Sequence, residues 1–272
     1  MYRLRRAVPL LVLWAACAGD PAESPAPLRA APAGQVELTA RGPLLNPDGT
    51  LRQAGWSRTE VLAYNRDAIA DADRRRLREW DFFAIQSPAG SLSLTATSLG
   101  FITLCSADWV AFADGKTATG ALPALGPGVR IALSTDAHGT TDCRRAGAAE
   151  AQLRFATDGP TRRLRFDFPA TALGPALRGD LTLHEFAHQE YLALATPFTA
   201  DTQAFFYEQK IPGTPAAGTL QVGTTTYTFA VTDSVAFMDW GRGVWPAQLL
   251  WRWAGAGGTL ADGRRFGLNL GN

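Results

Sequence analysis

Lysine is almost missing from this chain: of 26 basic residues only Lys116 and Lys210 are lysines. An excess of one charge is missing too, since 26 Lys and Arg face 25 Asp and Glu. That excludes the basic surplus with which a protein holds a nucleic-acid backbone through counterion release, so no nucleic-acid partner is expected. Three cysteines are too few for a disulfide-dense scaffold, and three histidines leave little for a metal centre, so neither a metal nor a cofactor is expected. Long apolar runs are also lacking. The longest near the N-terminus, Ala7 to Leu13, is too short to span a bilayer. Present in quantity are 27 glycines and 17 prolines, which break long helices and supply turns, and a 46% hydrophobic content that can bury a core.

Residues 1–18 read as a secretory signal, with Arg3, Arg5 and Arg6 ahead of the apolar core and Ala15-Ala16-Cys17-Ala18 as a small-residue cleavage zone. Cleavage can fall after Ala18, or before Cys17 as in bacterial lipoproteins, whose lipobox the segment Leu13 to Cys17 resembles. The lipoprotein reading makes Cys17 the lipidated residue and the membrane a partner through that lipid. It puts the protein in the bacterial cell envelope, lipid-anchored or secreted. Residues 19–34 carry Pro21, Pro25, Pro27 and Pro32 and read as an extended tether. The folded domain then runs over 35–272. With Cys17 consumed, Cys105 and Cys143 can either form a bridge in an oxidising compartment or remain two thiols.

From Trp80 onward, short alternating runs recur between Gly, Pro, Asp and Asn, as in Leu92 to Thr97, Val129 to Leu133 and Tyr227 to Val231. In Leu164-Arg165-Phe166-Asp167-Phe168 the alternation is strict, placing the apolar residues on a core face and the charges in water. The fold class is therefore all-β and antiparallel, a sandwich or barrel. One short helix is expected within Thr59 to Arg78, where no Pro or Gly interrupts the run.

His184-Glu185-Phe186-Ala187-His188 has the spacing of a zinc hydrolase, which needs both histidines on one helical turn. The flanks are strand-like. On a strand, residues four apart stand about 13 Å from one another and cannot chelate one ion. The zinc-hydrolase alternative through His184, Glu185 and His188 is accordingly disfavoured.

The densest constellation runs from Met238 to Pro246 and on to Trp253. It contains Asp239, Trp240, Arg242, Trp245, Trp251 and Trp253. Alternation that buries Phe237 carries Asp239 inward, where a carboxylate needs a partner, and Arg242 beyond the flexible Gly241 is expected to fold back and supply it.

Gly42-Pro43-Leu44-Leu45, Gly55-Trp56-Ser57-Arg58, Arg78 to Ile85, Thr196-Pro197-Phe198, Gln209-Lys210-Ile211-Pro212, Met238 to Trp245 and Gly267-Leu268-Asn269-Leu270-Gly271 resemble the successive signatures of the family catalogued as domain of unknown function 2804. The resemblance begins near Gly42 and reaches the C-terminus. Members continue through further strands, which implies that this chain lacks the last strands of its second barrel. By fold analogy the family is similar to lipocalin-like proteins that include carotenoid hydratases. That implies tandem or fused antiparallel barrels around an apolar cavity.

Two functions follow as expectations. One is a lipocalin-like binder of a hydrophobic small molecule, with the tryptophans lining its cavity and Asp239 with Arg242 orienting a polar end. The other is a hydratase, cyclase or isomerase on a hydrophobic substrate, in which Asp239 or Glu190 protonates an alkene or enol and Trp240, Trp245 and Trp251 stabilise a cation. Lys210 is a candidate in either scheme. A purely structural role for the Asp239 cluster is the third reading.

Overall fold

The computed structural model describes residues 36–124, 128–148, 152–172, 174–185, 189–198 and 200–271. The signal, Cys17, the tether and His188 lie outside the described residues. Eighteen strands are found among the described residues: β1 (Gly42–Pro43), β2 (Gly55–Ser57), β3 (Leu62–Ala63), β4 (Leu77–Ser87), β5 (Gly90–Ser98), β6 (Thr103–Ala111), β7 (Thr117–Ala124), β8 (Val129–Ala132) and β9 (Thr141–Arg145). The second half contributes β10 (Leu153–Asp158), β11 (Thr161–Phe168), β12 (Leu177–His184), β13 (Leu192–Phe198), β14 (Asp201–Val222), β15 (Thr225–Phe229), β16 (Val235–Val244), β17 (Trp253–Thr259) and β18 (Arg265–Gly271). The all-β, antiparallel expectation holds. The expected short helix is present in 3-10 form: the 59–78 stretch holds β3, two 3-10 turns at Arg66–Ala68 and Asp71–Arg76, and the start of β4. Its apolar residues are too sparse to bury one helical stripe, so short turns that leave the Arg74 to Arg76 run on the surface win.

The main sheet follows the path β7-β6-β5-β4-β16-β14-β12-β11-β10-β9-β8. Strands far apart along that path meet face to face. Phe83 of β4 packs on Phe155 of β10 at 4.7 Å between ring centroids, and Trp109 of β6 packs on Tyr227 of β15 at 4.6 Å. The sheet has therefore rolled over a common core, as sheet twist over many strands favours. A disulfide closes the roll from β6 to β9, joining Cys105 to Cys143 with Cα atoms 6.5 Å apart. Of the two alternatives open in the sequence, the bridge is the one formed.

β14 is the spine. Its first half pairs with β13 and β16 and its second half with β12 and β15. A bulge between Ile211 and Thr214 accommodates Pro212 and Gly213, which breaks the ladder locally without ending the strand. The wall β4–β16–β14 is consequently covered on both sides. Its inner face looks into the barrel core. Its outer face is covered by residues 245–252 and the β17–β18 hairpin, with Trp253 against Phe82 and Phe237.

Candidate functional site

A strand alternates its side chains, so residues three apart point to opposite faces. β16 runs unbroken through Gly241 to Val244, and Asp239 and Arg242 therefore stand on opposite sides of the wall. The expected Asp239–Arg242 pair does not form. Gly241 is not a hinge either. A Cβ there would strike the Trp80 ring, so glycine is required by close packing rather than by a turn.

On the outer face Asp239 accepts a 2.9 Å hydrogen bond from the Trp80 indole N–H and pairs with Lys210, its cross-strand neighbour. Lys210 also contacts Glu208 at 2.9 Å and lies beneath Trp253 at 5.1 Å from the ring centroid. All three charged groups are buried. Burial, with Asp239 adding to it against the pull of Lys210, raises the pKa of Glu208 above the usual carboxylate range. The aromatic roof is self-packed: Trp80 meets Trp245 at 5.6 Å, Phe206 meets Trp251 at 5.4 Å, and Trp245 meets Trp251 at 6.4 Å. Of the proposed site residues, then, Asp239, Lys210, Trp245, Trp251 and Trp253 are brought together. Glu190 is not among them; it is exposed and pairs with Arg58 at 3.2 Å.

On the inner face Arg242 donates to Asp81 at 2.7 Å, to the Ser134 carbonyl at 2.7 Å and to the Trp80 carbonyl at 2.6 Å. Its guanidinium stacks on Trp240 at 4.1 Å. Glu79 accepts from Tyr64 and Arg66, each at 2.9 Å. Apart from Arg242 Nε, which is buried without a hydrogen bond among the described residues, these charges are partnered, and they pin β4, β16 and the β8–β9 turn together.

A different group of residues surrounds a cleft of about 320 Å³, which is lined by Arg41, Thr59, Glu60, His138, Glu185, Gln189, Tyr191 and Ile211. Three connections carry them to one end of the barrel. Glu60 lies between β2 and β3, His138 and Asp136 between β8 and β9, Glu185 directly after β12, and Gln189 and Tyr191 directly before β13. Each is fixed by backbone. Asp136 Oδ1 accepts from His138 N–H at 2.7 Å, Glu185 N–H donates to the Pro160 carbonyl at 2.9 Å, and Glu60 N–H donates to Tyr191 Oη at 2.8 Å.

Polar atoms of Glu60, Asp136 and His138 lie within 4.8 Å of one another. His138 Nε2 faces Glu185 at 3.4 Å, and the other Glu185 oxygen meets Arg162 at 3.0 Å. The carboxyls are driven apart. Burial, and next the charge of Asp136, raises the pKa of Glu60. Burial would raise Glu185 as well, but the hydrogen bond of His138 and the charge of Arg162 outweigh it and hold its pKa below the usual value. Burial pushes Tyr191 up to about 12, so it remains a proton donor at neutral pH. A carboxyl inclined to hold a proton thus faces an imidazole oriented by an ionised carboxylate, the combination that general acid–base chemistry requires.

His184 is an exposed strand end, as its flanks predict, while its neighbour Glu185 turns inward to His138. The zinc-like string is therefore not laid out as a helix over His184 and Glu185, although Glu185 does take part in the cleft. Arg162 was legible: continuing the Leu164, Phe166, Phe168 alternation back by two puts it on the core face, where it is found buried. Glu60, Asp136 and Tyr191 gave no such signal, because they sit in connections whose meeting depends on the rolled sheet.

Among solved structures, the chain is similar to kievitone hydratase from Nectria haematococca, with 12% identity and a TM-score of 0.35, covering 65% of this chain and 51% of that one. It is also similar to a protein assigned as AttH from Nitrosomonas europaea, with 14% identity and a TM-score of 0.40, covering 82% of this chain and 65% of that one. The chain thus spans between half and two thirds of the length of these proteins. No curated protein matches it. Residues 35–272 match the family described as Domain of unknown function (DUF2804), and the chain belongs to that family.

Proposed function

We propose that this protein is an acid–base enzyme that adds or removes water, or shifts a double bond, on a small molecule held in the cleft of Glu60, His138 and Glu185. The observation that carries this reading is the convergence of Glu60, Asp136 and His138 within 4.8 Å in that cleft, with His138 backed by Glu185 and Arg162. In hydration, His138 takes a proton from water, the water oxygen bonds to one carbon, and the Glu60 carboxyl gives its proton to the other. Protons then re-equilibrate with solvent to restore both groups. Glu185 and Arg162 are positioning residues that orient the imidazole and offset its positive charge.

A binder of a hydrophobic molecule would need an apolar hollow beside Trp245, Trp251 and Trp253, but Trp245 and Trp251 pack on each other and on Phe206, and Trp253 packs on Phe82 and Phe237. The polar cleft favours catalysis. Incubation of the full chain in D₂O with conjugated enones and their β-hydroxy ketone counterparts, read by proton NMR, should show turnover with deuterium uptake at carbon. Glu60→Gln and His138→Ala should each lower the rate by about 10²–10⁴-fold. Binding of these compounds without turnover would replace the catalytic reading with the binding one. We further place the protein in the bacterial envelope through a lipid on Cys17, in accord with the order of basic head, apolar core and small residues. Radiolabelled palmitate should enter the wild type and not Cys17→Ser.

A further inference from the structure

Gln189 at the cleft, and Gln209 bonded to the cleft residue Glu60, are each held in one orientation by their amide partners. Gln189 Nε2 donates to the Pro212 carbonyl at 3.1 Å, which turns Oε1 away from that carbonyl. That oxygen is buried and, among the described residues, has no hydrogen-bond partner. Gln209, fully buried on β14, donates toward Tyr207 Oη at 3.5 Å and toward the Glu60 carboxyl. Tyr207 has already committed its own proton to the Leu62 carbonyl at 2.8 Å, so its oxygen can only accept, and the amide of Gln209 cannot be reversed. Its Oε1 is likewise without a partner. Buried acceptors left unpaired are costly, and these call for donors that the described residues do not supply.

The charge around the cleft narrows the class of molecule. Three basic side chains, Arg41, Arg162 and His138, stand among three carboxyls, Glu60, Asp136 and Glu185. Neither an anion nor a cation finds an uncompensated partner. Ile211 and the ring of Tyr191 supply an apolar surface.

We infer that the substrate is an uncharged, hydroxyl-bearing molecule with an apolar edge, one hydroxyl of which donates to Gln189 Oε1. This rests on the acid–base reading of the same cleft and names what that chemistry acts upon. Gln189 is then the residue that selects donors over their ethers, because an ether cannot satisfy the stranded oxygen.

Resorcinol, 3-methoxyphenol and 1,3-dimethoxybenzene form a series of falling donor number on one ring, with benzylammonium and benzoate as charged counterparts. Dissociation constants measured by ligand-observed NMR on the full chain should rise in that order, with resorcinol at least about tenfold tighter than its dimethyl ether. Both ions should bind more weakly than resorcinol. Gln189→Met should bring the resorcinol and ether constants to within about twofold of each other. Equal binding of the ether in the wild type, tighter binding of either ion, no resorcinol binding, or a preference that survives in a folded Gln189→Met would each overturn the inference. The wild-type series decides the matter even if the variant fails to fold. Glu60→Gln should keep the resorcinol preference. A donor preference without turnover of any enone or β-hydroxy ketone in D₂O removes the acid–base reading alone, and turnover without a donor preference removes this inference alone.

Discussion

At the scale of single residues, burial on both faces of β16 turns one strand into two separate electrostatic problems. Asp239 is resolved by Lys210 and the Trp80 indole, Arg242 by Asp81 and carbonyl groups. Lys210→Met strands two buried carboxylates and should cost about 3–5 kcal/mol in denaturant melts. Double-mutant cycles should give a large coupling for Asp239 with Lys210 and for Arg242 with Asp81, and a much smaller one for Asp239 with Arg242. A dominant Asp239–Arg242 coupling would contradict the placement of these groups on opposite faces. Glu208 adds a pH dependence. Its folded pKa lies above the ordinary 4.5, so the folded state binds this proton more tightly than the unfolded state. The stability it contributes is fully present below 4.5 and is lost as pH rises through the folded value. Glu208→Gln, neutral at every pH, should remove that decline, so its stability relative to wild type should improve as pH rises from 4.5. Glu185 works in the opposite sense. Its contribution is present above 4.5 and is lost as pH falls through its lowered folded value. Which buried residues were charged could be read in part from alternation, as Arg162 shows. Which partner each one met could not, because Asp81 is 161 residues from Arg242 and Trp80 is 159 from Asp239.

Among the elements, the β8–β9 connection carries both Asp136 and His138, and the Cys105–Cys143 disulfide anchors β9 to β6 across the barrel. Reduction should cost about 3–4 kcal/mol for a closed loop of 38 residues on the chain-entropy account. It should also loosen the turn that presents His138. Melts with and without reductant, beside a Cys143→Ser variant that no longer responds to reductant, would check both. At Gly241 the constraint is spatial. Gly241→Ala should destabilise by about 1–3 kcal/mol, since the added methyl meets the ring of Trp80 inside the wall. Strand alternation was legible for β4, β5, β11 and β16. The continuity of β14 through Pro212 and Gly213 was not, because proline and glycine are ordinarily turn residues and only a bulge paired on both sides lets a strand pass through them.

For the whole molecule, the rolled sheet sets a gradient of protection. β4, β14 and β16 are paired on both edges and buried on both faces, so their amides should exchange slowest. β17 and β18 pair only with each other, and Phe266, Leu268 and Leu270 are exposed, so that hairpin should exchange fastest among the strands of the described residues. Hydrogen exchange read by mass spectrometry separates the two classes, and equal protection would refute this ordering. Alternation was by itself sufficient to determine an all-β antiparallel chain, since that follows from a two-residue period local to each strand. The tertiary structure alone decided which partners Asp239 and Arg242 meet, that Trp253 closes over Lys210, and that Glu60, His138 and Glu185 share one cleft. Those are relations between strands and turns distant in sequence, set by how a twisted sheet rolls and in what register its strands pair. No local pattern carries that information.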